Sequence, residues 1–91
     1  MTKLQKKNKL QTIRVHLQNQ GFVQDSYGNF KLMAHQKQFA GLQFRVKIKT
    51  NNIRFEHKAP NRNEWKNDKS VAICRLELDH FYHMVNIMKG Y

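Results

Sequence analysis

Residues 42–58 read Leu42-Gln43-Phe44-Arg45-Val46-Lys47-Ile48-Lys49-Thr50-Asn51-Asn52-Ile53-Arg54-Phe55-Glu56-His57-Lys58. Apolar and polar residues alternate from Leu42 to Lys49, which sets Leu42, Phe44, Val46 and Ile48 on one side of a half-buried strand and Gln43, Arg45, Lys47 and Lys49 on the other. A second strand follows from Ile53 to Lys58. Asn51-Asn52 between them predicts a two-residue type I′ turn, because Asn tolerates positive φ. Such a turn pairs Thr50 with Ile53, Lys49 with Arg54, Ile48 with Phe55, Lys47 with Glu56, Val46 with His57 and Arg45 with Lys58. The apolar faces of the two strands then coincide. The other face carries Arg45, Lys47, Lys49, Arg54 and Lys58 against Glu56 alone. Like charges opposed at Lys49/Arg54 and Arg45/Lys58 disfavour folding, a cost that makes sense where the face meets an anionic partner. The plainer reading is a solvated face whose lysines blunt strand edges.

The rest of the chain extends the same charge pattern. Of the 17 Lys and Arg and six Asp and Glu that give a formal charge of +11, fourteen bases and three acids fall in residues 1–66, and the remainder balance in residues 67–91. An excess segregated in this way points to a polyanion bound through phosphate neutralisation and counterion release. An apolar content of 40% with six Phe, three Tyr and one Trp supplies a core and argues against general disorder. Ninety-one residues fit a single small domain. No apolar run approaches the roughly 18 residues of a spanning helix, and no signal-peptide core follows the basic N-terminus, so a soluble cytoplasmic protein without membrane contact is expected. The lone Cys74 excludes an internal disulfide and reads as a small buried hydrophobe in a strand. The abundance of Asn and Lys suggests an AT-rich coding sequence, such as that of a phage or other mobile element.

Residues 1–9 read either as a flexible basic arm or as the start of a helix. From Leu4 to Gln20, Leu4, Leu10, Ile13 and Leu17 recur at helical spacing, and Gly21 suits the position just past a helix end. The outer face of this helix carries Lys6, Lys7, Lys9 and Arg14. Residues 22–35 predict a hairpin turning at Tyr27-Gly28-Asn29, and residues 35–41 a connection whose Phe39 packs inward. Pro60 to Lys69 reads as a polar loop holding Arg62, Trp65 and Lys66, and Ser70 to Leu76 as a strand. Phe81, Val85 and Met88 form one stripe of a last helix over 79–89, with Asp79 as N-cap and Gly90 beyond the last turn.

The expected fold is α+β: an N-terminal helix, an antiparallel sheet of three to four strands and a C-terminal helix, both helices on one sheet face and the basic face free. This order resembles the helix–three strands–helix of double-stranded-RNA-binding domains and of small ribonuclease toxins with that topology. The second helix does not open with Lys-Lys-x-Ala-Lys, and the first hairpin lacks Gly-Ser-His, so no functional residue carries over.

Bases interleaved with aromatics are the strongest chemical signal, since Lys and Arg bind phosphates and an aromatic stacks on bases. The candidate contacts are Arg45, Lys47, Lys49, Arg54, Lys58, Arg62, Trp65 and Lys66, joined by Lys6, Lys7, Lys9 and Arg14. A two-stranded ribbon enters the major groove of DNA, so double-stranded DNA is the expected ligand, ahead of RNA, for a regulator or accessory factor. Trp65 reads more readily as a loop anchor against the core, because burying a Trp is so favourable.

Two enzymatic readings stand behind this one. Glu56-His57-Lys58 and Glu64-Trp65-Lys66 spell half of a metal-dependent nuclease site, but lack a convincing second carboxylate. His35 and His57 are candidate acid–base groups for a metal-free ribonuclease of toxin type. Cys74, His80 and His83 have no fourth ligand for zinc, and no cofactor or metal is expected. The remaining alternative is an adaptor or inhibitor whose basic face meets an acidic protein.

Overall fold

The computed structural model describes residues 2–32 and 43–90. Along the chain the elements are α1 (Lys3–Asn19), β1 (Phe22–Gln24), β2 (Phe30–Leu32), β3 (Gln43–Ile48), β4 (Asn52–Lys58), β5 (Lys66–Ala72) and α2 (Leu78–Gly90). The strands form one antiparallel meander in the order β1-β2-β3-β4-β5. The expected hairpin connection through His35 to Gly41, with Phe39, lies outside the described residues.

α1 begins with a capping box formed by Thr2 and Gln5. Thr2 Oγ1 accepts from the Gln5 N–H at 3.1 Å and Gln5 Oε1 accepts from the Thr2 N–H at 2.9 Å, satisfying two otherwise orphan donors. Residues 3–9 are therefore helical. The helix stops at Gly21, whose φ of +91° is open to glycine and costly for other residues. Ile13 and Leu17 are buried and Leu10 packs against them, whereas Leu4, expected on the same stripe, is exposed.

The β3–β4 hairpin forms with a different register from the one Asn51-Asn52 suggests. Ile48 pairs with Ile53, Val46 with Phe55 and Phe44 with His57, so the turn is centred one residue earlier, on Thr50-Asn51, and closed by the Lys49 N–H donating to the Asn52 carbonyl at 2.8 Å. Asn-Asn lacks the glycine that stabilises the second position of a type I′ turn. The partner of each β3 residue moves by two, one full side-chain period, so every residue keeps its expected face.

The sheet has five strands where three to four were expected, and β5 begins four residues before the strand expected from Ser70. Its sequence Lys66-Asn67-Asp68-Lys69-Ser70-Val71-Ala72 reads as loop for its first four residues and is nevertheless paired with β4, apart from a bulge at Asp68. As a polar edge strand with both faces largely exposed, it needs no apolar alternation, and its charges discourage edge-to-edge association. The segment expected as a strand to Leu76 leaves the sheet at Ala72 instead. Ile73–Arg75 is a turn, with the Ile73 N–H donating to the Asn51 carbonyl at 2.9 Å, and Cys74 is exposed there rather than buried.

One face of the sheet contributes Phe22, Phe30, Leu32, Val46, Ile53 and Phe55 to the core. Ile13 and Leu17 of α1 and Phe81, Val85 and Met88 of α2 close over it, with Ile73 and Leu76 filling the end. Both helices therefore lie on one face, as expected. The α2 stripe is also as expected, but Asp79 lies within the first turn rather than at the cap. The Glu77 carbonyl accepts the first helical bond, from the Phe81 N–H. Where the helices meet, the His16 ring lies 4.4 Å from Tyr82 and 5.7 Å from Phe81. Burial and, secondarily, the Lys89 ammonium hold its pKa below the ordinary imidazole value.

Candidate nucleic-acid interface

The face of the sheet away from the helices is assembled by cross-strand pairing. Val23 pairs with Lys31, Lys31 with Arg45 and Arg45 with Glu56, while Lys47 pairs with Arg54 and Arg54 with Ser70. Gln43 and Lys58 end the row. Lys31, Arg45, Lys47, Arg54 and Lys58 therefore share one face with Glu56. Lys31 was not among the residues singled out from the sequence. Its place in Phe30-Lys31-Leu32, polar between two apolar residues, carries the signal.

The corrected register changes the electrostatics. Of the expected like-charge pairs, neither Lys49/Arg54 nor Arg45/Lys58 forms; Lys47 opposes Arg54 instead. Glu56, expected beside Lys47, lies opposite Arg45 and accepts from its Nε at 2.6 Å, with Arg54 Nη2 at 3.3 Å from the other oxygen. The Glu56 side chain is 4% exposed and that of Arg45 14%, so this carboxylate is a structural counter-ion and the two arginines are partly committed to it. Lys31 is held more loosely, 3.4 Å from Asp25. Burial alone would raise the Asp25 carboxyl, but backbone N–H groups of Asn29 and Tyr27 and the Lys31 ammonium outweigh it and hold its pKa below the ordinary value. Among the described residues Lys47 and Lys58 make no ion pair.

Trp65, at the end of the 59–65 loop, is half-buried on this face rather than in the core. The Arg45 guanidinium carbon lies 4.1 Å from the ring centroid and Lys58 Nζ 5.6 Å, within reach of a cation–π interaction.

The other candidates are distributed elsewhere. Lys49 is exposed at the tip of the hairpin, and Arg62 is exposed in the loop. Lys66 pairs with His57 and so takes the helix side of the sheet. Lys6, Lys7, Lys9 and Arg14 ride on α1, which packs on that side, although Lys6 Nζ reaches the hairpin tip and donates to Asn51 Oδ1 at 3.2 Å. The structure thus divides the sequence-derived set between two sides of the sheet.

His57 also faces the helices. A bulge in β5 leaves Asp68 unpaired between Asn67 and Lys69, and the His57 Nδ1–H donates to its carboxylate at 2.7 Å. The pair edges an apolar groove of about 360 Å³ between the sheet and α2, lined by Phe44, Phe55, Met84, Ile87 and Met88. It is separated by the sheet from the basic face, and His35 lies outside the described residues. No three metal-binding side chains come together among the described residues, and none of the described helices is long and apolar enough to cross a membrane. Comparison of the chain with protein-family models, with curated proteins and with solved structures gives no match.

Proposed function

We propose that this protein binds nucleic acid, with the phosphate backbone lying across the open face of the sheet on Lys31, Lys47, Lys58 and the outer parts of Arg54. The observation that carries the reading is the cross-strand clustering of five bases on one face, where Glu56 is taken up by Arg45 and Arg54, Asp25 is held at the edge by Lys31, and Lys47 and Lys58 make no ion pair among the described residues. Cations held side by side on a rigid sheet gain from each phosphate they neutralise, because counterions are released.

The duplex DNA expected from the sequence rested on a two-stranded ribbon in the major groove. Here β3–β4 is flanked by β2 and β5, and four strands span about 14 Å between axes at a spacing of about 4.8 Å, against a groove about 12 Å wide. α1 backs the hairpin as far as Asn51. Docking is therefore across the sheet surface, not by insertion. Fluorescence anisotropy with labelled duplex DNA, single-stranded DNA and duplex RNA at two salt concentrations, followed by a gel, tests the proposal. Salt-dependent binding of intact nucleic acid is expected. Cleaved RNA would favour the ribonuclease reading, and absence of binding would return attention to an acidic protein partner.

A further inference from the structure

Trp65 is the sole tryptophan of the chain, and the fold does not place it in the hydrophobic core. It lies instead on the basic face. Arg45 is stacked at 4.1 Å from its centroid and is itself fixed by Glu56 at 2.6 Å, so a buried carboxylate orients the guanidinium and the guanidinium orients the indole. The ring is held in place, and the residue remains partly exposed. Lys58 stands 5.6 Å from its centroid.

Resting on the nucleic-acid reading above, we infer that the ligand is single-stranded, with an unpaired base stacked on Trp65 and its flanking phosphates on Lys58 and Lys47. A duplex offers phosphates and base edges, but its base faces are already occupied by neighbouring pairs. An aromatic face on a sheet can be used only by a base that has left the stack. The Arg45 plane beneath the indole extends the same stack, as guanidinium groups do beside aromatic rings. One aromatic ring among lysines implies that one or two bases are stacked and the rest of the strand is held by charge, so the base preference is weak.

The intrinsic fluorescence of Trp65 reports on the site directly. The full chain is titrated with an oligothymidylate, an oligouridylate, a duplex of equal length and an abasic oligomer carrying the same phosphates without bases. The first two are expected to quench the emission and bind more tightly than the other two. Anisotropy with labelled oligothymidylate then compares Trp65→Ala and Trp65→Phe, with circular dichroism to establish that both fold. Trp65→Ala is expected to lose about 5- to 150-fold in affinity, the range equivalent to stacking of one base, and Trp65→Phe to recover part of it. Equal, salt-dependent binding of all four ligands without quenching would overturn the stacking inference and leave the basic-face reading intact. Binding of none would overturn both. Unchanged affinity in folded Trp65→Ala would likewise remove the stacked base while leaving the phosphate contacts.

Discussion

Replacing Glu56 by Gln keeps the shape of the side chain and removes its charge, so it isolates the role of the buried acid of the open face. The Arg45–Glu56 contact is 2.6 Å between groups 14% and 4% exposed, and a hydrogen bond to a charged group contributes about 1.5–3 kcal/mol. The Arg54 contact is longer, at 3.3 Å, with Arg54 30% exposed, and is discounted to under about 1 kcal/mol for solvent screening. The sum, about 3 kcal/mol, sits at the low end of the range for removing one partner of a buried ion pair. For a chain of this length that is a large part of a total stability of about 5–14 kcal/mol. Urea unfolding followed by Trp65 emission measures it, and the ring should also report the loosening of Arg45 beneath it. A double-mutant cycle with Arg45→Gln should give a coupling above about 1 kcal/mol, since the two side chains touch. A loss below about 0.5 kcal/mol for Glu56→Gln, with no coupling, would refute the chain of support from Glu56 through Arg45 to Trp65.

Three further outcomes follow from the fold. Phe55→Ala removes a fully buried ring in contact with Phe81 and should cost about 3–5 kcal/mol in denaturant unfolding. Gly21→Ala should cost about 1–2 kcal/mol purely through its φ of +91°, since nothing lies within 4 Å of the added carbon. The depressed pKa of His16 means that the unfolded chain takes up the proton first as pH falls below the ordinary value of 6.5. Its contribution to stability is therefore complete above that pH and declines below it until folded His16 also titrates; thermal unfolding of His16→Phe should show a flatter acid limb than the parent chain.

The alternation in 42–49 made the basic face legible because a register error of two residues leaves every side chain on its side. The pairing itself was not legible: it depends on whether Thr50-Asn51 or Asn51-Asn52 occupies the turn, and no glycine is present to fix the choice. The start of β5 was hidden for a different reason. An edge strand exposed on both faces carries no apolar period, so Lys66-Asn67-Asp68-Lys69 looks like the loop it follows and only the part from Ser70 reads as strand. The position of Trp65 depends on that strand. Once Lys66 pairs with His57, the preceding residue falls on the opposite face, over Arg45, and no local property of the sequence announces this. The split of the bases between the two sides of the sheet was likewise invisible, because charge along the chain does not say that α1 packs behind the sheet that carries the rest.

If the open face rather than the helix side neutralises phosphates, the salt dependence of binding follows the lysines of the sheet. The logarithm of the binding constant against the logarithm of salt concentration is measured for the parent chain, for Lys31→Gln/Lys47→Gln/Lys58→Gln and for Lys6→Gln/Lys7→Gln/Lys9→Gln. With about 0.7–0.9 of slope for each neutralised phosphate, the first variant is expected to lose about two units of slope and the second to match the parent. A lost slope in the α1 variant with an unchanged one in the sheet variant would move the phosphate contacts to the helix side.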